Sequence, residues 1–278
     1  MSAFVFFAVL AAALLHASWN ALIKSGGNKF TSMLIMTVLQ GAFGGVIALF
    51  SALPASEVWP WLLVSALFHS GYKLFLSYAY EQGDLSRVYP IARGAAPMIV
   101  LALSGFLLSD LLDPLEVVGV LILGLGILFM ARGAFANGES LRLVPFAFGS
   151  ALMTAGYSIV DGLGARVAGD AALYVAWMFF LDALIFTPVC VALRGRGVLR
   201  SERQDWSIGA GAAAGSYAAY AIVVWAMTQA PIALVTALRE TSILFAVLIG
   251  WWIMGDKMDR GKAVAASLIV IGVALTRI

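Results

Sequence analysis

Long apolar runs alternate with short polar gaps along the whole chain, at 3–23, 31–50, 59–80, 88–108, 114–131, 144–164, 171–193, 206–228, 233–254 and 263–276. Runs of roughly 18 to 23 residues are long enough to cross a hydrocarbon layer of about 30 Å as helices. The gaps carry turn formers and charges, as in Leu53-Pro54-Ala55, Leu112-Asp113-Pro114 and Arg194-Gly195-Arg196-Gly197. The strands of a membrane barrel would alternate apolar and polar in units of about ten residues, and these runs are uniformly apolar. The pattern predicts an all-α integral membrane protein of ten transmembrane helices, with no segment left over for a soluble domain.

The ten runs repeat themselves. Ala13–Asn20 (Ala-Leu-Leu-His-Ala-Ser-Trp-Asn) returns as Ala151–Ser158 (Ala-Leu-Met-Thr-Ala-Gly-Tyr-Ser), with Gly26 matched by Gly164 at the same offset of 138. Trp59, Ala79 and Gln82 are matched by Trp206, Ala226 and Gln229 at 147, and Arg93, Asp110 and Gly126 by Arg239, Asp256 and Gly272 at 146. The offset changes between the second and third spans of each half, where the second copy carries the longer loop Arg194–Asp205. Two repeats are expected, at 1–135 and 140–278. Each contains five spans, and five is odd, so joined halves enter the membrane in opposite senses. The duplication is therefore an inverted repeat, the arrangement that lets two halves rock about a site near the membrane midplane.

Composition sharpens this picture. With 62% hydrophobic and 12% charged residues and a mean hydropathy of +0.97, the chain lies far from ordinary soluble domains. The net charge of +2 sits in loops and gives no basic face for nucleic acid. Cys190 is the only cysteine, which excludes an intrachain disulfide and a cysteine metal cluster. Met1-Ser2 leads directly into the first span without a basic region, so that span is read as a retained helix and not a cleaved signal. Lys and Arg outside the spans number 12 in the odd-numbered loops, whereas the even-numbered loops and termini hold only Arg166 and Arg277. The positive-inside rule then puts both termini outside.

The residues His16-Ala-Ser-Trp-Asn-Ala-Leu-Ile-Lys24, the small and aromatic run Gly71–Tyr80, Tyr89-Pro-Ile-Ala-Arg-Gly-Ala-Ala-Pro97 and Leu123-Gly-Leu-Gly-Ile127, echoed by Val270-Ile-Gly-Val273, resemble the EamA-type members of the drug/metabolite transporter superfamily. The resemblance covers essentially the whole chain. It implies a multi-pass carrier of small metabolites in the bacterial inner membrane, often an exporter, with cytoplasmic termini and a site between spans one, three, four, six, eight and nine. The amino-acid exporters, including those for aromatic amino acids, are the branch it looks most like.

Ionisable groups within hydrocarbon are expensive and need a partner, a wet cavity or a function. Three cations fall within the spans: Lys73, and the equivalent pair Arg93 and Arg239. The pair either holds a carboxylate, acts as alternating gates, or anchors to the carbonyl ends of neighbouring helices. Tyr89 and Thr236 lie a turn before these arginines. Glu240, about 100° around the helix from Arg239, is expected to face a different helix.

The first span presents His16, Trp19 and Asn20, and the sixth presents Thr154, Tyr157, Ser158 and Asp161. Spacings of three and four keep each set on one face. An aromatic ring beside amide and hydroxyl groups suits a small zwitterion with an apolar side chain. Ser70, Lys73 and Ser77 share a face of the third span and are matched in the eighth by Tyr217, Tyr220 and Val224. These either line the cavity or glue helices together. His69 and Asp182 are either coupling groups or packing and charge partners.

No His-Glu-x-x-His, Gly-x-Ser-x-Gly or Walker-type loop occurs. No catalytic residue, metal site, cofactor or ATPase subunit is therefore expected, and the partners are a small-molecule substrate and membrane lipid. The reading favoured is a secondary exporter of amino acids or similar amphiphiles. Uptake of a small anion, such as a phosphonate or organic acid, and an intramembrane lipid-handling protein or enzyme are the alternatives. Gly41, Gly44, Gly45, Gly124, Gly126, Gly209, Gly211 and Gly215 are expected to let helices approach closely.

Overall fold

In a computed structural model, the described residues are 1–24, 29–82, 85–108, 110–135, 142–252 and 258–277. They fold into α1 (Ala3–Lys24), α2 (Lys29–Leu49), α3 (Trp59–Gln82), α4 (Leu85–Leu107), α5 (Pro114–Phe135), α6 (Leu143–Ala168), α7 (Ala171–Arg194), α8 (Arg203–Gln229), α9 (Ile232–Arg239), α10 (Ser242–Trp252) and α11 (Arg260–Leu275), with short 3-10 turns at Ser56–Val58 and Arg196–Leu199. There is no strand among them. The loops are short because several helices run past the apolar spans. Asp170 receives Ala172 N and Leu173 N to start α7, and Gly169 adopts φ 71° to end α6.

Six segments are long and apolar enough to cross a membrane: Ala3–Leu22, Phe30–Leu49, Leu143–Ala168, Ala171–Arg194, Gln204–Gln229 and Ile232–Trp252. Ala92–Leu107 and Pro114–Met130 are shorter apolar stretches among the described residues, and the third helix is interrupted by His69 and Lys73. Phe4, Phe50, Phe106, Leu111 and Trp252 are each at least 74% exposed. Apolar faces on that scale belong in lipid.

The helices exchange partners between halves. α1 packs along α8 and α3 along α6, while α2 meets α7 and α5 meets α11. Swapping the halves maps the first pair onto the second and each of the other two onto itself, the signature of a pseudo-two-fold axis. With an odd number of crossings per half, that axis lies in the membrane plane.

The ninth span differs from the expected single helix. Glu240 N, Thr241 N and Ile243 N donate to carbonyls three residues back, at Ala237, Leu238 and Glu240, at 3.0–3.1 Å. This tightened stretch separates α9 from α10, and the fourth span has no such break.

Glycine brings some helices into backbone contact. A Cβ on Gly44 would lie 2.3 Å from the Ala176 carbonyl oxygen, and one on Gly41 would lie 2.2 Å from Ala183 Cβ. Gly126 and Gly272 do the same between α5 and α11. Gly211 and Gly215 depart from expectation, because a Cβ there would meet only ordinary contacts at 3.9 and 3.4 Å.

Gly44→Ala must therefore move α2 against α7, at a cost of about 1–3 kcal/mol, whereas Gly105→Ala, with nothing within 4 Å, leaves stability unchanged. Thermal unfolding of the two variants in detergent checks this, and equal midpoints would contradict the close approach.

Candidate functional site

Charge in the interior is balanced. Among the described residues, the buried charged side chains are the cations Lys73, Arg93 and Arg239 and the carboxylates Asp161, Asp182 and Glu240, with His69 beside them. These groups come from α3, α4, α6, α7, α9 and the break after α9. A buried charge without a partner is far costlier than a hydrogen-bonded pair, so these contacts fix how the helices meet.

Three clusters result. In the first, Arg93 Nε donates to Glu240 Oε2 at 2.8 Å, and Arg239 Nη2 donates to Glu240 Oε1 at 3.2 Å. The two repeat-related arginines thus converge on one carboxylate. Glu240 was expected to face elsewhere, on the geometry of an unbroken helix. Its counterpart Gly94 does face away, against Ile127 on α5. The break after Arg239 is what turns Glu240 inward.

In the second cluster, Lys73 pairs with Asp182, Ser70 Oγ donates to Asp182 Oδ1 at 3.0 Å, and the ammonium lies 5.3 Å from the Phe186 ring. The third centres on Asp161. Its Oδ2 accepts from His69 Nε2 at 2.9 Å and from the Tyr220 hydroxyl, and its Oδ1 from Tyr174 OH at 3.1 Å.

Aromatic rings connect the first cluster to the third. Arg239 Nη2 donates to Tyr157 OH at 3.2 Å, and the guanidinium lies 5.4 Å from the centroid of that ring. His69 stacks on Tyr157 with centroids 4.1 Å apart, and Tyr72, Phe179 and Tyr220 pack around the imidazole. The sixth span's polar face thus meets His69 of the third span, through the Tyr157 ring and through Asp161.

Other sequence-identified residues are placed less centrally. Asn20 donates to the His16 carbonyl and Ser158 to the Thr154 carbonyl, each within its own helix. Trp19 is buried and meets the edge of His16 at 4.9 Å. Trp19 Nε1, Ser77 Oγ, Tyr217 OH and Thr236 Oγ1 are buried without a hydrogen-bond partner among the described residues. The side chain of Tyr89 lies outside the described residues.

Sequence reasoning passed over Tyr72, Tyr174 and Phe179, which are ordinary in pattern and acquire meaning only from what they touch. It also left Arg166 as a loop charge. The structure places it in the last turn of α6, bound to both oxygens of Asp110 at 2.8 and 3.0 Å and to the carbonyls of Met227 and Ala230. Asp110 Oδ2 in turn accepts Ile232 N at 2.9 Å. One ion pair therefore ties the ends of α6 and α8 to the start of α9. A hollow of about 800 Å³ opens beside it, lined by Arg166, Asp170, Trp225 and Gln229 among others, away from the buried clusters. At the opposite end Arg194 Nη2 meets Glu81 at 2.5 Å.

A family model described as the EamA-like transporter family matches residues 3–132 and again 141–278. A solved crystal structure, titled only as that of a protein, superposes with a TM-score of 0.77 at 19% identity, covering 100% of this chain and 99% of that one. At that identity the likeness is one of fold. No curated protein matches.

Asp182→Asn strands the Lys73 ammonium in a dry interior and should cost about 3–5 kcal/mol. Lys73→Met/Asp182→Asn together should restore most of it, since both charges are gone. Denaturation of the single and double variants measures the difference, and a double variant no more stable than the single would show that the pair does not carry the cost.

Proposed function

Because the chain belongs to the EamA-like transporter family, whose members move small molecules across membranes, we propose that it is a secondary transporter of net-neutral amino acids with apolar or aromatic side chains. It works by alternating access in the bacterial inner membrane, in the export direction that the family resemblance implies. The observation that carries the substrate class is the balance of buried charge among the described residues, three cations against three carboxylates, with both signs meeting where Arg93 and Arg239 share Glu240. A zwitterion brings one charge of each sign. Its carboxylate matches a guanidinium, its ammonium matches Glu240, and the sum in the interior stays at zero. The rings of Tyr157 and Tyr220, 5.4 and 6.0 Å from the Arg239 guanidinium, with Tyr72 and Phe179 packed against them, suit an apolar or aromatic side chain.

Alternating access follows from the exchange of partners between halves. Arg93 and Arg239 belong to corresponding spans and share one counter-ion. A substrate that competes for that counter-ion loosens the contact between the halves at their centre, and this is the coupling of binding to movement that a carrier requires.

A second reading, uptake of a small organic anion, draws on the two guanidiniums that share a single carboxylate. An anion would leave the interior one charge negative unless a proton accompanied it, and this distinguishes the two readings.

Counterflow in liposomes should accelerate labelled phenylalanine at least about tenfold over phenethylamine and phenylpyruvate, which each lack one charge and so forfeit about 1.4 kcal/mol or more. No phenylalanine counterflow would remove the substrate class, and preference for phenylpyruvate would favour the anion. Glu240→Gln, checked for folding by size exclusion, should raise the KM for phenylalanine more than that for phenylpyruvate. Equal effects on both would deny Glu240 an ammonium-binding role.

A further inference from the structure

We propose that His69 and Asp161 form a proton-binding site linked to the substrate site, so that transport exchanges energy with a pH gradient. The inference extends the transport reading above. Its first test does not depend on the identity of the substrate.

The three buried carboxylates have unequal partners. Glu240 is shared by two guanidiniums and Asp182 is held by the Lys73 ammonium, so a proton arriving at either would have to displace a full cation. Asp161 instead receives two neutral phenols and an imidazole. A carboxylate accepts only, so the proton between His69 and Asp161 belongs to Nε2 of the imidazole. The nitrogen left to take a further proton is Nδ1. Protonation there turns a neutral donor into an imidazolium already 2.9 Å from a carboxylate. The proton comes from water, no bond between heavy atoms forms or breaks, and the interior gains one positive charge.

The surroundings of His69 carry that charge to the substrate site. From α6 it faces Asp161 and Tyr157. From α7 come Tyr174, through Asp161, and Asp182, the latter neutralised by Lys73 one turn along α3. From α8 comes Tyr220, and from α3 itself Tyr72. α4 contributes Arg93, which is held by Glu240, and α2 has no ionisable residue within its span beyond Lys29 at its start. Tyr157 lies directly between the two sites, stacked on His69 and hydrogen-bonded to Arg239. An imidazolium stacked on that ring and a guanidinium at its hydroxyl repel each other. Charging His69 therefore alters how firmly Arg239 is held at Tyr157 and Glu240, and by linkage the state of Arg239 alters the affinity of His69 for its proton.

The chain contains two histidines, so His16→Gln leaves His69 as the only imidazole. In that protein, reconstituted into nanodiscs, the imidazole nuclear magnetic resonance signals of His69 should respond to pH, and Asp161→Asn should alter or abolish that response. A His69 signal that does not respond to pH, or one indifferent to Asp161→Asn, overturns the proposal. In liposomes, an imposed pH gradient should change phenylalanine flux relative to flux without a gradient. His69→Gln should bring that ratio to one, and a ratio unchanged by His69→Gln also overturns the linkage. Should phenylalanine fail to move at all, the substrate reading falls while the resonance titration still decides the proton site.

Discussion

The six charges buried among the described residues, in a medium that cannot solvate them, constrain this protein more than any other feature. Each must find an opposite charge or a set of hydrogen-bond donors, and the partners come from different helices: Lys73 on α3 with Asp182 on α7, Arg93 on α4 with Glu240 beyond α9, Arg239 between Glu240 and Tyr157 of α6, and Asp161 on α6 with His69, Tyr174 and Tyr220. Apolar packing in lipid gives little preference for one helix register over another, because lipid tails satisfy an apolar surface as well as a neighbouring helix does. Ion pairs and hydrogen bonds are directional, and they set which faces meet. Among the described residues, the same contacts occupy the buried charged groups that the proposed substrate would engage, so on that proposal stability and recognition draw on one set of residues.

Symmetry supplies the frame, and departures from symmetry supply the chemistry. α1 with α8 and α3 with α6 are related pairs, and α2 with α7 and α5 with α11 lie across the axis. Within that frame only the two arginines recur among the buried charges. Lys73 is answered by Tyr220 and Glu240 by Gly94. At Gly94 the helix continues and the position packs against Ile127 of α5. At Glu240 the helix breaks and the carboxylate swings between the arginines. The proposed zwitterionic substrate, with a positive end and a negative end, suits such a centre, whereas a strictly repeated one would present two like charges.

Close helix approach through glycine and the tightened stretch after Arg239 act on different scales. Gly41, Gly44, Gly126 and Gly272 allow backbone contact at the two self-paired interfaces, α2 with α7 and α5 with α11. Those interfaces lie across the pseudo-two-fold axis and join the two halves. The break in the ninth span lies near the centre, where backbone irregularity is tolerated because it is surrounded by protein and not by lipid.

The linear pattern was enough to determine the helical class, the ten crossings, the duplication and its inversion, because apolar run length and the parity of crossings follow from residue order alone. It also exposed Lys73, Arg93, Arg239, Asp161, Asp182 and Glu240 as costly groups in need of a partner. Which partner each takes was decided only by the tertiary structure. Glu240 illustrates why: a helix angle of about 100° per residue predicts its direction only while the helix continues, and the break depends on what surrounds Arg239. Tyr72, Tyr174 and Phe179 illustrate the complementary point, since an aromatic residue in an apolar run looks like lipid-facing or packing surface until the fold sets it beside a charge. Burial and chain order are local and can be read along a sequence, whereas charge pairing spans as many as 147 residues and exists only once the helices have met.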